Sequence, residues 1–139
     1  MGPKSNEEVM KGFVEFINTA NPELAATLIA PTATFHMPGR PEPMSGPDGY
    51  LAIIGMMQGG FPDIQWTVEE MVSERDKVAV RFTMRGTHGG TFVGVPPTAK
   101  KIAVQSMAFY RLANGQIVEE YGQPDMLGLL QQIGAAPRA

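Results

Sequence analysis

Glu120, Tyr110 and His88 are the residues whose types and spacing could move protons. Tyr110 and Glu120 lie on either side of the turn signal Ala113-Asn114-Gly115, so a hairpin there folds them toward each other. Read as a three-residue loop with Gly115 left-handed, the turn sets Leu112 opposite Gln116, Tyr110 opposite Val118, Ala108 opposite Glu120 and Ser106 opposite Gly122. A two-residue Asn-Gly turn would shift that register by one. One sheet face then bears Ile102, Val104, Ser106, Ala108 and Tyr110, and the other bears Gln105, Met107, Phe109, Glu119 and Tyr121. The small residues Ser106, Ala108 and Gly122 leave empty volume beside Tyr110 and Glu120. A void with a few convergent polar groups is the usual form of a small-molecule site, unless helix side chains fill it. Inside an apolar pocket Glu120 would have a raised pKa and could take a proton next to a carbonyl. At the rim it would be an ordinary solvated strand residue.

His88 continues the alternation of Val78, Val80, Phe82, Met84 and Gly86 and so points where the core residues point. It reads either as a proton shuttle and oxyanion donor or as a buried histidine satisfied by backbone. His36, out of phase with Phe35 and Met37, lines a pocket mouth or is exposed. Asp125 follows Gln123-Pro124; it is a catalytic candidate, and the competing role is a favourable charge in the first turn of a last helix. Met57 and Trp66 complete the expected ligand-binding set with His36, Ser106, Ala108 and Gly122. Glu70 shares the apolar phase of Ile64, Trp66, Val68 and Val72, so it turns inward or is displaced by a bulge. Arg81 and Arg85 suit cross-strand pairing with Glu69 or Glu70. The two histidines have no third ligand at a recognisable spacing, so no metal is expected. No serine lies in a Gly-x-Ser-x-Gly elbow, and no Gly-Lys-Ser/Thr follows the glycines near Gly89.

The elements that must position these residues are legible from periodicity and punctuation. Ser5 and Glu8 form a capping box ahead of Val9, Phe13, Phe16, Ile17 and Ala20, which recur at helical spacing. Asn21-Pro22-Glu23 starts a second, short helix limited by Pro31. Ala33 to Met37 reads as a short strand and Pro38 to Pro47 as a loop. A third helix spans Asp48 to Gln58 with Tyr50, Leu51, Ile54 and Met57 on its apolar side. From Asp63 the period becomes two, giving strands through Val72, from Val78 to Met84, from Lys100 to Leu112 and from Gln116 to Gln123. The connection from Gly89 to Ala99 is long enough to form a pocket rim. A final helix runs from Asp125 to Gln132. Helices first and a mostly antiparallel sheet after them define an α+β fold.

With 139 residues, the chain is expected to form one domain over 1–139. Acids outnumber bases by 14 to 11, and the net charge of -3 offers no footprint for nucleic acid. The absence of cysteine excludes disulfides and thiolate chemistry and suits a reducing cytoplasm. No run of residues is long and apolar enough for a membrane span, and MGPKSNEEVM is too polar and acidic for a secretory signal. The 10 methionines fill gaps in a core or line an irregular cavity.

Several segments together carry a family resemblance. They are Thr34-Phe35-His36-Met37-Pro38, Phe61-Pro62-Asp63 leading into Trp66-Thr67-Val68-Glu69, Asp76-Lys77-Val78-Ala79-Val80-Arg81, and Gly86-Thr87-His88-Gly89-Gly90-Thr91-Phe92 running on to Gly94-Val95-Pro96-Pro97-Thr98. Asn114 to Glu120 and Leu127 to Gly134 complete the set, which covers nearly the whole chain. In this order the chain resembles the SnoaL-like polyketide cyclase and ester cyclase family of the NTF2-like superfamily. The resemblance implies an α+β cone, with three N-terminal helices on a curved, mostly antiparallel sheet and a short C-terminal helix. It also implies a cofactor-independent intramolecular aldol ring closure, with no metal or organic cofactor, and a homodimer. The family pattern sets a histidine and an aspartate at positions that read Ala108 and Gly122 here. Two functions follow. One is an acid–base enzyme of cyclase or isomerase type for an apolar carbonyl compound, with Glu120 as base and His88 or Tyr110 stabilising the enolate. The other is a binding protein for a small apolar ligand. Met107, Phe109 and Tyr121, too apolar for solvent, suit the dimer face.

Overall fold

The computed structural model describes residues 5–137. Helix α1 (Asn6–Thr19) starts on the expected capping box: the Ser5 hydroxyl accepts from the Glu8 N–H at 3.2 Å while Glu8 reaches back to Ser5. Its apolar stripe buries Val9, Met10, Phe13, Phe16 and Ile17. The Asn21 side chain caps α2 (Pro22–Leu28) by accepting from Glu23 at 2.9 Å. The chain then enters β1 (Ile29–His36) without a loop, and β1 is longer than the strand expected from Ala33 because Ile29 and Ala30 are also buried. A two-residue strand β2 (Met44–Ser45) breaks the expected loop and leads into α3 (Gly46–Gly60). The strands β3 (Gln65–Glu74), β4 (Lys77–Thr87), β5 (Lys101–Ala113) and β6 (Gln116–Pro124) follow, and α4 (Met126–Gln132) closes the order.

The six strands form one sheet in the order β2-β1-β6-β5-β4-β3. Every neighbouring pair is antiparallel except β1 with β6, which are parallel. Three helices precede the long strands, and the main core joins α1, α2, α3, β1 and the inward residues of β4, β5 and β6. A smaller apolar cluster at the other end of the sheet gathers Phe61, Met84, Phe92, Ile102 and Leu129.

The β5–β6 hairpin corrects the expected register. Asn114 and Gly115 both have positive φ (53° and 75°), so the loop has two residues, in the twist-matched form that Asn-Gly favours. Ala113 therefore pairs with Gln116 and Leu112 with Ile117; a bulge then leaves Val118 without a partner, and Arg111 pairs with Glu119. From there Tyr110 pairs with Glu120 and Ala108 with Gly122. The shorter turn and the bulge each shift the pairing by one. Together they return Glu120 to the face expected for it, because side chains alternate with a period of two.

A second bulge, between Val68 and Glu70 on β3, changes the phase of that strand. Glu70 is thereby turned outward, where Arg81 Nε donates to its Oε1 at 3.3 Å. Beyond the bulge Met71 packs against the core and Val72 is exposed.

The connection after β4 contains a tight reversal: the Phe92 N–H donates to the Val95 carbonyl at 3.0 Å and the Val95 N–H to Phe92 at 2.8 Å. Between them Val93 has φ 41°, a conformation in which a β-branched side chain is strained. Val93→Asn is expected to raise stability by about 1 kcal/mol, since asparagine tolerates that backbone. Thermal unfolding of the two proteins measures the difference as a rise in Tm of a few degrees.

Candidate functional site

A cavity of about 300 Å³ opens between α3 and the inward face of the sheet. From α3 it is lined by Tyr50, Ile53, Ile54, Met56 and Met57, and from the sheet by Trp66, Phe82, Met84, Ser106 and Gly122. Met37, Pro38 and Arg40 stand on one side of the mouth, and Phe92 and Val93 also reach the cavity. Met37, Met44, Met56, Met57, Met84 and Met126 all contribute, so most of the chain's methionines line this space. Their thioether chains give the wall an adaptable shape.

Glu120 and Tyr110 enter this cavity side by side as a cross-strand pair. The β6 bulge does the aiming. Ile117 points inward, and unbroken alternation would bring Glu119 inward next; with Val118 displaced, Glu120 takes that place. Glu119 instead faces outward to Arg111, 3.6 Å from its Nε. Glu120 is 3% exposed, and no salt bridge among the described residues involves it. Burial pushes its carboxyl up to about 7, with the hydroxyls of Tyr50 and Tyr110 acting in the opposite sense as hydrogen-bond donors. Its Oε1 has no hydrogen-bond partner among the described residues. Burial, reinforced by the charge of Glu120, raises both phenols well above their ordinary range, so they remain O–H donors.

An aromatic sheath fixes the two phenols. Tyr50 meets Phe13 edge-on at 5.0 Å and Phe35 at 4.6 Å, and Tyr110 meets Phe13 at 5.4 Å. Phe13 comes from α1 and Phe35 from β1, so the helix and strand that carry no polar site residue hold the ones that do. In the sequence Tyr50 is legible only as part of the apolar stripe of α3. The signal that could have found it is its hydroxyl, which must meet a partner when the ring is buried.

The structure brings together Glu120, Tyr110, Ser106, Gly122, Trp66 and Met57. Ala108 lies on the same inward face but is packed into the core and does not line the cavity. His88 is fully buried, as its phase requires, but at the far end of the sheet. It packs on Phe61 at 5.4 Å, Phe61 packs on Phe92 at 5.2 Å, and of the three only Phe92 reaches the cavity. Its Nδ1 accepts from the Thr98 N–H at 3.2 Å, which leaves the ring proton on Nε2. His36 is turned away from the cavity and stacks on Tyr121 with ring centres 4.2 Å apart. Asp125 caps α4: its Oδ1 accepts from the Gly128 N–H at 2.8 Å. Among the described residues no group of three or more His, Cys, Asp or Glu is placed to hold a metal. No helix among them is long and apolar enough to cross a membrane.

The family profile described as SnoaL-like polyketide cyclase matches residues 7–133. The chain belongs to that family. Its fold is the NTF2-like SnoaL fold, with four helices packed on a six-stranded, mostly antiparallel open sheet. The crystal structure of wild-type IdmH from Streptomyces antibioticus superposes with a TM-score of 0.85 at 33% identity, covering 94% of this chain and 99% of that one. Among curated relatives, the aklanonic acid methyl ester cyclase DnrD of Streptomyces peucetius is 25% identical, covering 91% of this chain and 89% of its own. The nogalonic acid methyl ester cyclase of Streptomyces nogalater is 28% identical over 65% of this chain and 68% of its own. In this SnoaL-like chain, Ala108 and Gly122 are direct cross-strand partners, separated from the Tyr110–Glu120 pair by the outward Phe109–Tyr121 pair and next to it on the inward face. The carboxylate at the cavity wall therefore stands two residues along β6 from the position that the family resemblance implies.

Burial of Glu120 links stability to pH. Its folded-state pKa of about 7 lies above that of an unfolded glutamate, so the folded state holds the proton more tightly. The contribution is full below the unfolded value and is lost as pH rises toward and through 7. Glu120→Gln, which cannot ionise, is expected to gain about 3 kcal/mol relative to the parent between pH 4 and pH 8. Denaturant unfolding of both proteins at the two pH values reads the change.

Proposed function

We propose that this SnoaL-like chain is a cofactor-independent acid–base catalyst that closes a ring on an apolar carbonyl compound of polyketide type. The observation that carries this reading is the unpaired Oε1 of a buried carboxylate at the wall of an apolar cavity, with two phenols beside it. In the proposed cycle, ionised Glu120 takes a proton from the carbon next to a carbonyl. Tyr50 and Tyr110 donate hydrogen bonds to the enolate oxygen as charge develops there. The enolate carbon attacks a second carbonyl of the same molecule. One C–C bond forms, and the resulting alkoxide recovers the proton from Glu120, so the cycle closes without an external reactant. The names of the related methyl ester cyclases support this substrate class.

Glu120→Gln is expected to lower kcat by about 10²-fold or more, and Tyr50→Phe and Tyr110→Phe each by about tenfold, with smaller changes in KM. Ring closure of nogalonic or aklanonic acid methyl ester, followed by absorbance and mass spectrometry, is the assay. Activity should rise with pH through about 7 as Glu120 ionises. Unchanged turnover in Glu120→Gln would overturn the assignment. Loss of a histidine and an aspartate at Ala108 and Gly122 favours a second reading, a pocket that binds without turnover; it predicts saturable binding of the same esters and no product.

The outer sheet face supports a homodimer as part of the same proposal. Phe109 and Tyr121 are direct cross-strand partners, 62% and 50% exposed, and Met107 on the same face is 54% exposed. Apolar surface of that kind is buried by a second copy in many symmetric dimers. Sedimentation at micromolar concentration is expected to give a dimer, and Phe109→Glu with Tyr121→Glu a monomer.

A further inference from the structure

We propose that Val93, with Met56 beside it, is a ligand contact that sets specificity at the mouth of the cavity. The ligand is then a flat, uncharged ring system larger than the cavity, and the part that projects rests on these two side chains. The inference rests on the reading of the cavity as a substrate site and names the size and surface of what enters it.

Val93 carries two costs at once. Its φ of 41° crowds a β-branched side chain, and it is the one β-branched residue among the five non-glycine residues of positive φ in the described chain. Its side chain is also 65% exposed. Met56 is 54% exposed, and of the exposed large apolar side chains among the described residues these two alone line the cavity. Strain kept in an exposed apolar residue at a cavity mouth points to a contact made with a ligand.

The loop that carries Val93 is held in place. The Gly89 and Gly90 N–H groups both donate to the Gly60 carbonyl at 3.1 Å, and the Thr98 N–H donates to His88 Nδ1 at 3.2 Å. Phe92 lies against Gly60, where a Cβ would come within 2.7 Å of its ring. Strain of this kind persists where the surroundings over-determine the backbone. Met56 stands one helical turn before Gly60 on the same face of α3, beside the Phe92–Val95 reversal that presents Val93. The two side chains form one apolar lip.

The lip continues the cavity wall. At about 300 Å³ the cavity is at the small end of the range for small-molecule sites, about 300–1,000 Å³, so a multi-ring ligand projects from it. Projecting apolar surface adds affinity only where it is covered, and Val93 and Met56 cover it. A charged substituent in that place would lose water and gain no partner from either side chain.

Trp66 is the chain's single tryptophan and lines the cavity, so its emission reports occupancy. The test is titration with two neutral esters, the three-ring methyl anthraquinone-2-carboxylate and the one-ring methyl 4-acetylbenzoate. Val93→Asn is expected to weaken binding of the three-ring ester about tenfold and of the one-ring ester less than about twofold. Met56→Gln should act in the same sense, and Val93→Thr, which keeps the side chain's shape, should lose part of the affinity. Because Val93→Asn is expected to stabilise the chain, its loss of affinity is not a loss of fold. An unchanged affinity for the three-ring ester in Val93→Asn overturns the proposal, as does an equal loss for both esters. Absence of binding of the three-ring ester to the parent protein overturns it too. A change in sedimentation without a change in affinity would assign Val93 to a subunit contact and overturn it as well. The base reading fails separately: turnover that survives Glu120→Gln removes the base and leaves the Val93-dependent preference for the larger ester standing.

Discussion

Glu120 is buried in a mostly apolar wall and pairs with no cation among the described residues, and that constraint governs the rest of the site. Moving an ionised carboxylate out of water is costly unless partners replace the lost solvation. Here the replacement is partial: two phenols donate toward the group and one oxygen is left without a partner. The consequence is a proton affinity raised to about 7, where charged and neutral forms coexist at neutral pH. An arginine in contact would have held the group ionised and removed its ability to exchange a proton. An entirely apolar wall would have held it protonated. The phenols set it between those limits.

A group in that balance works only if its neighbours stay in place, and the helices supply the rigidity. Tyr50 rides on α3 and Tyr110 on β5, two elements far apart in sequence, and Phe13 of α1 touches both rings. The capping box that starts α1 therefore bears on the site although it lies at the surface: it fixes the helix that presents Phe13 and Phe16. Phe35 closes the sheath from β1, the strand that runs parallel to β6 and pairs with it at Glu120. Each of these contacts is apolar or edge-to-face. None brings a charge that would compete with the carboxylate for its proton.

Periodicity made the elements readable, because caps, turn residues and alternation act locally. The helix starts at Ser5 and Asn21 and the inward face of β5 rest on such signals. Bulges are not local in that sense: whether Glu70 turns in or out depends on how β3 meets β4, and the sequence left both open until Arg81 and the register settled it. In the last hairpin the bulge at Val118 and the two-residue turn offset each other, so a three-residue loop without a bulge gives Glu120 the same face through a different pairing. His88 shows the opposite limit. Alternation correctly gave its direction, but a sheet face extends beyond one cavity, and inward at that end means toward Phe61. Tyr50 was hidden because a tyrosine in a helix stripe looks like any other large apolar residue until its hydroxyl meets another element.

The bare position at Gly122 follows from the same electrostatics. A Cβ there would lie 3.0 Å from Met37 Sδ and 3.3 Å from Glu120 Oε2. A carboxylate at that position would displace the thioether from the wall and set a second negative charge beside the first. In a medium of low polarity two such groups cannot both ionise, so one would stay protonated and the pair would share a single proton. Glycine at 122 and alanine at 108 leave Glu120 as the one carboxylate lining the cavity among the described residues. Phenols suit that arrangement better than an imidazole: burial and the charge of Glu120 both push their ionisation upward, so they donate without ever competing for the proton that Glu120 carries.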